Sequence, residues 1–352
     1  MKPELRVRIV IPLLSGVLVI LALFSPVWEL EEGPGLQLLY ALRGERLPPT
    51  QVVIIALDAA SAVKLGQSAR PERWSRALHA RLVEGLADRG AAVIGFDILF
   101  EHPRDAVDDR QLAAALRRAG NVFLVEQVVR EPVRDSDGKT LASVDRRIRA
   151  VPLLLEAAAG SAPFVMPKTA NGVFEFWRYL PSAGDTPSLP VLMANLMGVQ
   201  ERRIAERPGL PRQLLSLYGS LGTVRTYSYD QALNLLADPA AGRLAFAGKA
   251  VLIGFSETNQ SRQMDSYRTH YTDAEGLDLS GVELCATALA NILDGRQLFR
   301  PDEGTLRPML VIWVLLLSLP WLRLTTRQAL SIMAIFSVLA LALCALVFSH
   351  IE

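Results

Sequence analysis

Three stretches of the chain contain no Asp, Glu, Lys or Arg: residues 9–28, 308–322 and 328–349, runs of 20, 15 and 22. A helix of about 20 apolar residues covers roughly 30 Å, the thickness of a bilayer's hydrocarbon core. The run Ile9 to Trp28 follows Lys2, Arg6 and Arg8 and reads as a spanning helix. Its alternative is a cleaved signal peptide. Against that stand an apolar region longer than the usual stretch of about 7–15 residues and the lack of a small-x-small site before Glu29. Pro308–Leu322 is short by itself, but Leu306 and Leu324 extend it, and Arg307 and Arg323 can snorkel to opposite interfaces. Gln328–Ser349 needs no such help, and Leu324–Arg327 form a tight turn, so these two helices make a hairpin. A mean hydropathy of +0.26, with 51% hydrophobic and only 21% charged residues, also excludes a wholly soluble globule.

The positive-inside rule places Lys2, Arg6, Arg8, Arg323 and Arg327 in the cytoplasm, with Glu29, Glu31 and Glu32 just beyond the first helix on the far side. The expected organisation is a cytoplasmic N-terminus and first spanning helix over 1–28, an extracytoplasmic domain over 29–304, a second span over 305–325, and a third span with a short tail over 326–352. The expected location is the plasma or inner membrane, multi-pass, with the central domain periplasmic or extracellular. Three crossings leave His350–Glu352 outside, so a cytoplasmic enzyme joined to this chain needs a fourth spanning helix after Glu352.

Removing the charges at the two ends leaves 32 basic and 34 acidic residues between 29 and 307. A domain so close to neutral lacks the electrostatic footprint for a phosphate backbone, so no nucleic-acid partner is expected. Four His and two Cys are too few for most metal clusters. Cys285 and Cys344 lie in different environments, so neither a disulfide nor a metal nor a cofactor is expected.

Within the middle region, Gln51–Leu57 and Ala92–Ile98 are β-branched apolar runs ending near Asp58 and Asp97, as buried parallel strands do. Between them Trp74, Leu78, Leu82 and Leu86 recur every four residues, and Gly90 stands where a helix needs its terminating glycine, so 52–98 reads as one βαβ unit. A second helix starts at Asp108 or Asp109, faces Leu112, Ala115, Leu116 and Ala119 inward, and stops at Gly120 before a strand over Asn121–Glu126. Charged, turn-rich residues 130–150 read as a surface excursion. A strand pair around 164–180, a helix over Leu189–Met197, a polar Gln200–Arg212 loop and a helix opened by a Ser228-x-x-Gln231 capping box follow. Gly248–Phe255 reads as a buried strand, and Gly281–Leu293 as a helix with Val282, Cys285, Leu289 and Leu293 on one side. The expected fold class is therefore α/β: a mostly parallel-sheet extracytoplasmic domain with α-helical transmembrane segments on both sides. No internal repeat is visible.

These motifs, in this order, resemble the second CHASE class of bacterial extracellular sensory domains. The matching residues are Val52-Val53-Ile54-Ile55-Ala56-Leu57-Asp58-x-x-Ser61, Phe96-Asp97-x-Leu99-Phe100 and Asp109-x-x-Leu112-x-x-Ala115-Leu116. Further along they are Gly172-Val173 with Arg178, Tyr227-Ser228-Tyr229, Gly248-Lys249-x-Val251-Leu252-Ile253-Gly254 and Gly281-Val282-Glu283-x-x-Ala286. The resemblance covers about 29 to 300. It implies one helix before the domain, membrane helices directly after it, a homodimer, and an output of the cyclase or kinase type in relatives. Two features depart from the family pattern: Cys285 stands where a His is usual, and two membrane helices follow the domain instead of three.

Open α/β sheets bind ligands in the crevice beyond the carboxyl ends of their strands. Asp58 with Ser61, Asp97, Glu126, and the pair Ser256/Glu257 fall at such ends and are the candidate ligand-binding residues. The alternative for Asp58 and Asp97 is a local one, capping turns and bonding loop amides. Arg178, between Trp177 and Tyr179, joins the candidates as a guanidinium for an anionic ligand, the alternative being a side chain packed on those rings and paired to a nearby acid. His79 reads as a surface or half-buried histidine. No catalytic residue is assigned: Asp58-Ala59-Ala60-Ser61 lacks a second aspartate for phosphoaspartyl chemistry, no Gly-x-Ser-x-Gly elbow occurs, and Cys285 sits mid-helix on an apolar face.

The function expected is a membrane-anchored sensory or ligand-binding module that signals through its helices, and not an enzyme. The alternative is a scaffold subunit of an envelope complex. Its partners are the lipid bilayer, a second copy of the chain, and membrane or periplasmic proteins. Ser15 and Gly16 in the first helix, and Ala340, Ala342 and Ala345 in the last, offer small-residue faces for the homodimer.

Overall fold

The computed structural model describes residues 17, 35–134, 140–167, 172–199, 212–257, 265–272, 276–296, 298 and 303–351. Apart from helical Val17, the predicted first span lies outside the described residues, as does nearly all of the 200–212 loop. The chain divides into a helical unit, Met1–Gly44 with Phe299–Glu352, and an α/β unit, Glu45–Leu298. Helix α1 (Leu36–Arg43) belongs to the first.

The α/β unit opens with β1 (Val52–Leu57), the short α2 (Ala59–Lys64), α3 (Arg76–Asp88) and β2 (Val93–Asp97). Next come α4 (Ala106–Ala119), β3 (Val122–Arg134), β4 (Thr140–Ile148), the single turn α5 (Pro152–Leu155) and β5 (Gly160–Pro163). Short pieces follow: β6 (Glu175–Trp177), β7 (Tyr179–Leu180), β8 (Thr186–Pro187), α6 (Leu189–Leu196) and β9 (Arg212–Leu214). The unit ends with β10 (Thr226–Ser228), α7 (Tyr229–Ala237), α8 (Pro239–Phe246), β11 (Ala250–Phe255), β12 (Ser266–Tyr267), β13 (Leu279–Ser280) and α9 (Gly281–Leu293).

The main sheet runs in the order β10-β1-β11-β2-β3-β4, with β5 also on β3. All pairings but β3 with β4 are parallel. On one face Val53, Ile55 and Leu57 of β1 join Leu82 and Leu86 of α3, Leu112 and Leu116 of α4, and Tyr229 and Leu236 of α7 in one core. On the other face α6 and α9 come so close that a Cβ on Gly95 would meet Met193 Sδ at 2.6 Å, and one on Gly254 would meet Val282 Cβ at 2.7 Å. Helices on both faces bury all six residues of β1, which is why this strand reads as an unbroken apolar run.

Several expectations are corrected. The βαβ unit over 52–98 is present, but β11 lies between β1 and β2, so the two strands are not neighbours. Asp105, not Asp108 or Asp109, caps α4, accepting from Val107 N at 2.8 Å and Asp108 N at 3.0 Å. The strand predicted to end at Glu126 continues to Arg134 and folds back with β4 as a ribbon, the form the surface excursion takes. Among the described residues no two strands within 164–180 pair with each other, although Trp177 N donates to Val165 O at 3.0 Å: β6 pairs with the distant β9, and β7 with β8. The Ser228–Gln231 capping box is present at α7.

In the helical unit, α10 (Glu303–Arg323) and α11 (Thr326–Ile351) are joined at Leu324 and Thr325, so the last helix begins two residues before Gln328. Thr325 N and Oγ1 both donate to Gln328 Oε1, at 3.2 and 2.9 Å. Trp313 stacks on Phe336 with ring centres 4.9 Å apart. Tyr40 of α1 meets Phe348 of α11 edge-on at 5.3 Å, and the Arg43 guanidinium lies 4.8 Å from the Tyr40 ring. Among the described residues one helix, over Thr326–Ser349, is long and apolar enough to cross a membrane.

Candidate functional site

The strand order β1-β11-β2 and the pairings Leu57 with Phe255 and Gly254 with Asp97 put Asp58, Ser256 and Asp97 along one edge of the sheet. Asp58 leaves β1 in extended conformation and caps α2, its Oδ1 accepting from Ser61 N at 2.6 Å. Glu257, just past β11, accepts from Ala59 N at 2.6 Å and ties the two loops together. Burial raises the Glu257 carboxyl above its ordinary value against the pull of the Ala59 amide, and the Asp58 charge adds to the rise. Ser256 is buried beside it.

Ser61 is fully buried, and its Oγ donates to Asp230 Oδ1 at 2.8 Å. Asp230, in the first turn of α7, also accepts from Lys64 Nζ at 2.7 Å and Ser228 Oγ at 2.8 Å. Burial works to raise the Asp230 carboxyl, but the bonds from Lys64, Ser61 and Ser228 outweigh it and bring the group down to about 2. The Ser61 hydroxyl is thus held by a carboxylate that stays ionised, which anchors α2 to α7.

Asp97 has different surroundings. Burial, and then the charge of Asp265, push it up to about 7, so near neutrality it exchanges a proton. Asp265 lies against the start of α9, where a Cβ on Gly281 would push its carboxylate aside. The Tyr267 phenol, hydrogen-bonded to Asp265, is raised by burial and by that carboxylate. On α9 the Cys285 thiol is pushed well above its ordinary value by burial and by Asp97, which leaves it a poor nucleophile.

The remaining candidates lie elsewhere. Glu126 is not at a strand end, because β3 runs on past it. Its carboxylate is buried where β3 passes from β5 to β4, accepting from Arg147 Nε and Ser161 Oγ, each at 2.5 Å, with Arg149 Nε at 3.4 Å. Arg178 is buried between β6 and β7 and donates to Gln213 Oε1 at 2.7 Å, burial lowering it to about 10. Nearby, Arg212 lies 5.2 Å from the Trp177 ring centre and 2.7 Å from Glu175. His79, read as surface or half-buried, is in the core: Nδ1 bonds the Tyr229 hydroxyl at 2.9 Å, and Phe96 and Phe100 meet the ring edge-on. Burial first, then the Arg76 and Arg104 charges, hold it down to about 3, so it stays neutral.

Sequence reasoning missed Asp265, Tyr267, Asp230 and Glu283. Glu283 sits in the first turn of α9 and accepts from Gly222 N at 3.0 Å, and burial raises it to about 7. The Gly281-Val282-Glu283 motif marked its position without pointing to its partner. The Arg76–Asp109 ion pair, 2.5 Å and buried, also went unforeseen; it joins α3 to α4. Among the described residues no group of three or more His, Cys, Asp or Glu is arranged to hold a metal ion. What the edge offers chemically is a pair of acids, Asp97 and Asp265, able to trade a proton or face a cationic group.

A sequence model of the CHASE2 domain matches residues 14–325, which include the whole α/β unit and α10. No curated protein and no solved structure matches the chain.

Proposed function

The chain belongs to the CHASE2 domain family of sensory extracellular domains, and from that membership we propose that it is the sensing part of a multi-pass membrane receptor. The α/β unit faces the outside, and ligand binding changes how the adjoining helices pack. The output is of the cyclase or kinase type and lies beyond this chain, which itself is not an enzyme. The carrying observation is that one family match takes in both the α/β unit and α10, so domain and following helix belong together.

The topology proposed is the one the charges favour: spans over 1–28, 305–325 and 326–352, with 29–304 outside. Support comes from the Tyr40–Phe348 contact. It brings the far end of α11 beside the helix that leads into the α/β unit, as expected when α10 and α11 cross in opposite directions. Arg43 beside these two rings matches the basic and aromatic side chains typical of a membrane interface.

A homodimer is part of the reading. Ile335, Val338, Leu339 and Leu343 of α11 are exposed and require lipid or another helix against them. The same exposure favours the second reading, a scaffold subunit whose function is to hold unrelated membrane partners.

Purification of the full chain in mild detergent, followed by native mass spectrometry and a thermal-shift screen of small molecules, separates the two. A homodimer stabilised by a small molecule supports the receptor. A stoichiometric unrelated subunit, with no small molecule shifting the melt, replaces it with the scaffold.

A further inference from the structure

At the opposite end of the sheet from Asp58 and Asp97, the amino ends of β10, β1 and β11 border a groove of about 420 Å³. That volume lies within the range of about 300–1,000 Å³ found for small-molecule sites, which are mostly apolar with a few placed polar groups. The walls match this description. Val52 and Val53 form the floor, and Tyr227, Leu235, Leu244 and Ala245 the sides. Leu244 is 84% exposed and extends the apolar wall outward.

The charged side chains at this groove are both cations, beside the hydroxyls of Thr50 and Tyr227. Arg225 immediately precedes β10 and Lys249 immediately precedes β11, and both line it. Strands β10 and β11 flank β1, and the register sets Arg225 level with Val53 and Lys249 level with Gln51, so the two residues start about 12 Å apart on the same face, a gap that two long side chains can close onto one headgroup. Among the described residues neither side chain takes part in an ion pair. Two cations at the mouth of an apolar groove, Lys249 half-buried and Arg225 exposed, are complementary to a ligand with one negative end and an apolar body.

We propose that this groove binds a small amphiphilic anion, a carboxylate on an aliphatic or aromatic body, with the carboxylate between Arg225 and Lys249 and the body along Val52, Val53 and Leu244. The site stands on the α/β unit's own chemistry and is independent of the sensory reading.

The test uses the full chain in nanodiscs, titrated calorimetrically with octanoate and with uncharged octanamide, empty nanodiscs serving as the blank for partitioning. Octanoate is expected to saturate one site per chain and to bind at least fivefold more tightly than octanamide. The double variant Arg225→Gln/Lys249→Gln, at an exposed and a half-buried position, is expected to weaken octanoate about tenfold and leave octanamide unchanged. Ala241→Trp, which fills the groove from α8, is expected to abolish both. Octanoate heats equal to those of empty nanodiscs, equal affinity for the two probes, or octanoate binding unchanged in the double variant or in Ala241→Trp would overturn the proposal. None of these outcomes bears on whether a ligand elsewhere stabilises the receptor.

Discussion

Helices α9 and α11 are both apolar, yet every residue of α9 from Gly281 to Ile292 is buried by protein, while α11 exposes Ile335, Val338, Leu339 and Leu343. Hydropathy alone does not tell them apart; length and polar bonding do. The 13 residues of α9 reach only about 20 Å, too short for a bilayer, whereas the 26 of α11 reach about 39 Å. α9 also carries Glu283 and Asn291. Asn291 Oδ1 accepts from Ser216 N at 2.8 Å, and its Nδ2 donates to Ser216 O at 3.0 Å, so the loop before β10 is bonded to this helix at both ends. A buried helix in a folded domain needs such partners for each polar group, whereas between Ala329 and Phe348 α11 carries only apolar side chains, Cys344 and the small hydroxyls of Ser331 and Ser337.

A charge placed in each helix gives the largest expected contrast. Leu289→Asp puts a carboxylate among fully buried neighbours and is expected to cost more than about 4 kcal/mol, enough to unfold the α/β unit. Leu339→Asp is expected to leave that unit's melting temperature within about 2 °C and to reduce the membrane-inserted fraction instead. Thermal melts and carbonate extraction read the two effects. A Leu289→Asp protein that melts like the wild type would break the comparison.

Titration sharpens it next. The Glu283 carboxyl is raised from its ordinary 4.5 to about 7 in the folded state, so the native protein holds a proton that the unfolded chain releases. Its contribution is therefore complete below pH 4.5 and is lost as pH rises through about 7, by at most about 1.4 kcal/mol per unit. Asp97, also raised to about 7, acts with the same sign. Glu257, also raised, adds to the same slope, so melting temperature should fall between pH 4.5 and 8 and Glu283→Gln should make that fall shallower. An unchanged slope would show that Glu283 is already ionised in the folded state.

The smallest effect concerns the thiols, one on each helix: Cys285 is buried in α9 and Cys344 is exposed on α11. A membrane-permeant maleimide applied in mild detergent should modify Cys344 without changing the melt and leave Cys285 untouched until urea unfolds the domain. Mass spectrometry of the peptides decides it, and early modification of Cys285 would mean that α9 opens readily.

The limits of α9 were legible from Gly281 to Leu293 because Val282, Cys285, Leu289 and Leu293 repeat along one side and Gly295 stands beyond the end. Its burial on all sides was not, since Ala286, Ala288 and Ala290 carry no directional signal and are buried only because α6 and the sheet press against it. β1 was legible for the opposite reason: burial on both faces removes any alternation. Strand order was not, because the placement of β11 between β1 and β2 depends on contacts across the chain. In the candidate site, Asp58, Asp97, Ser256 and Glu257 stand at neighbouring strand ends as expected, whereas Ser61 lies buried inside α2. Asp230 and Asp265 have no local signature; each matters only through the hydroxyl or carboxyl that folding brings to it.

The position of β11 also has a consequence for how the protein is made. Residues 250–255 fill the centre of the sheet between 52–57 and 93–97. Until the ribosome has delivered them, β1 and β2 have no common neighbour, and both expose apolar edges able to pair with other chains. A nascent chain halted anywhere before Ala250 is therefore a substrate for chaperones and proteases, not a smaller working domain.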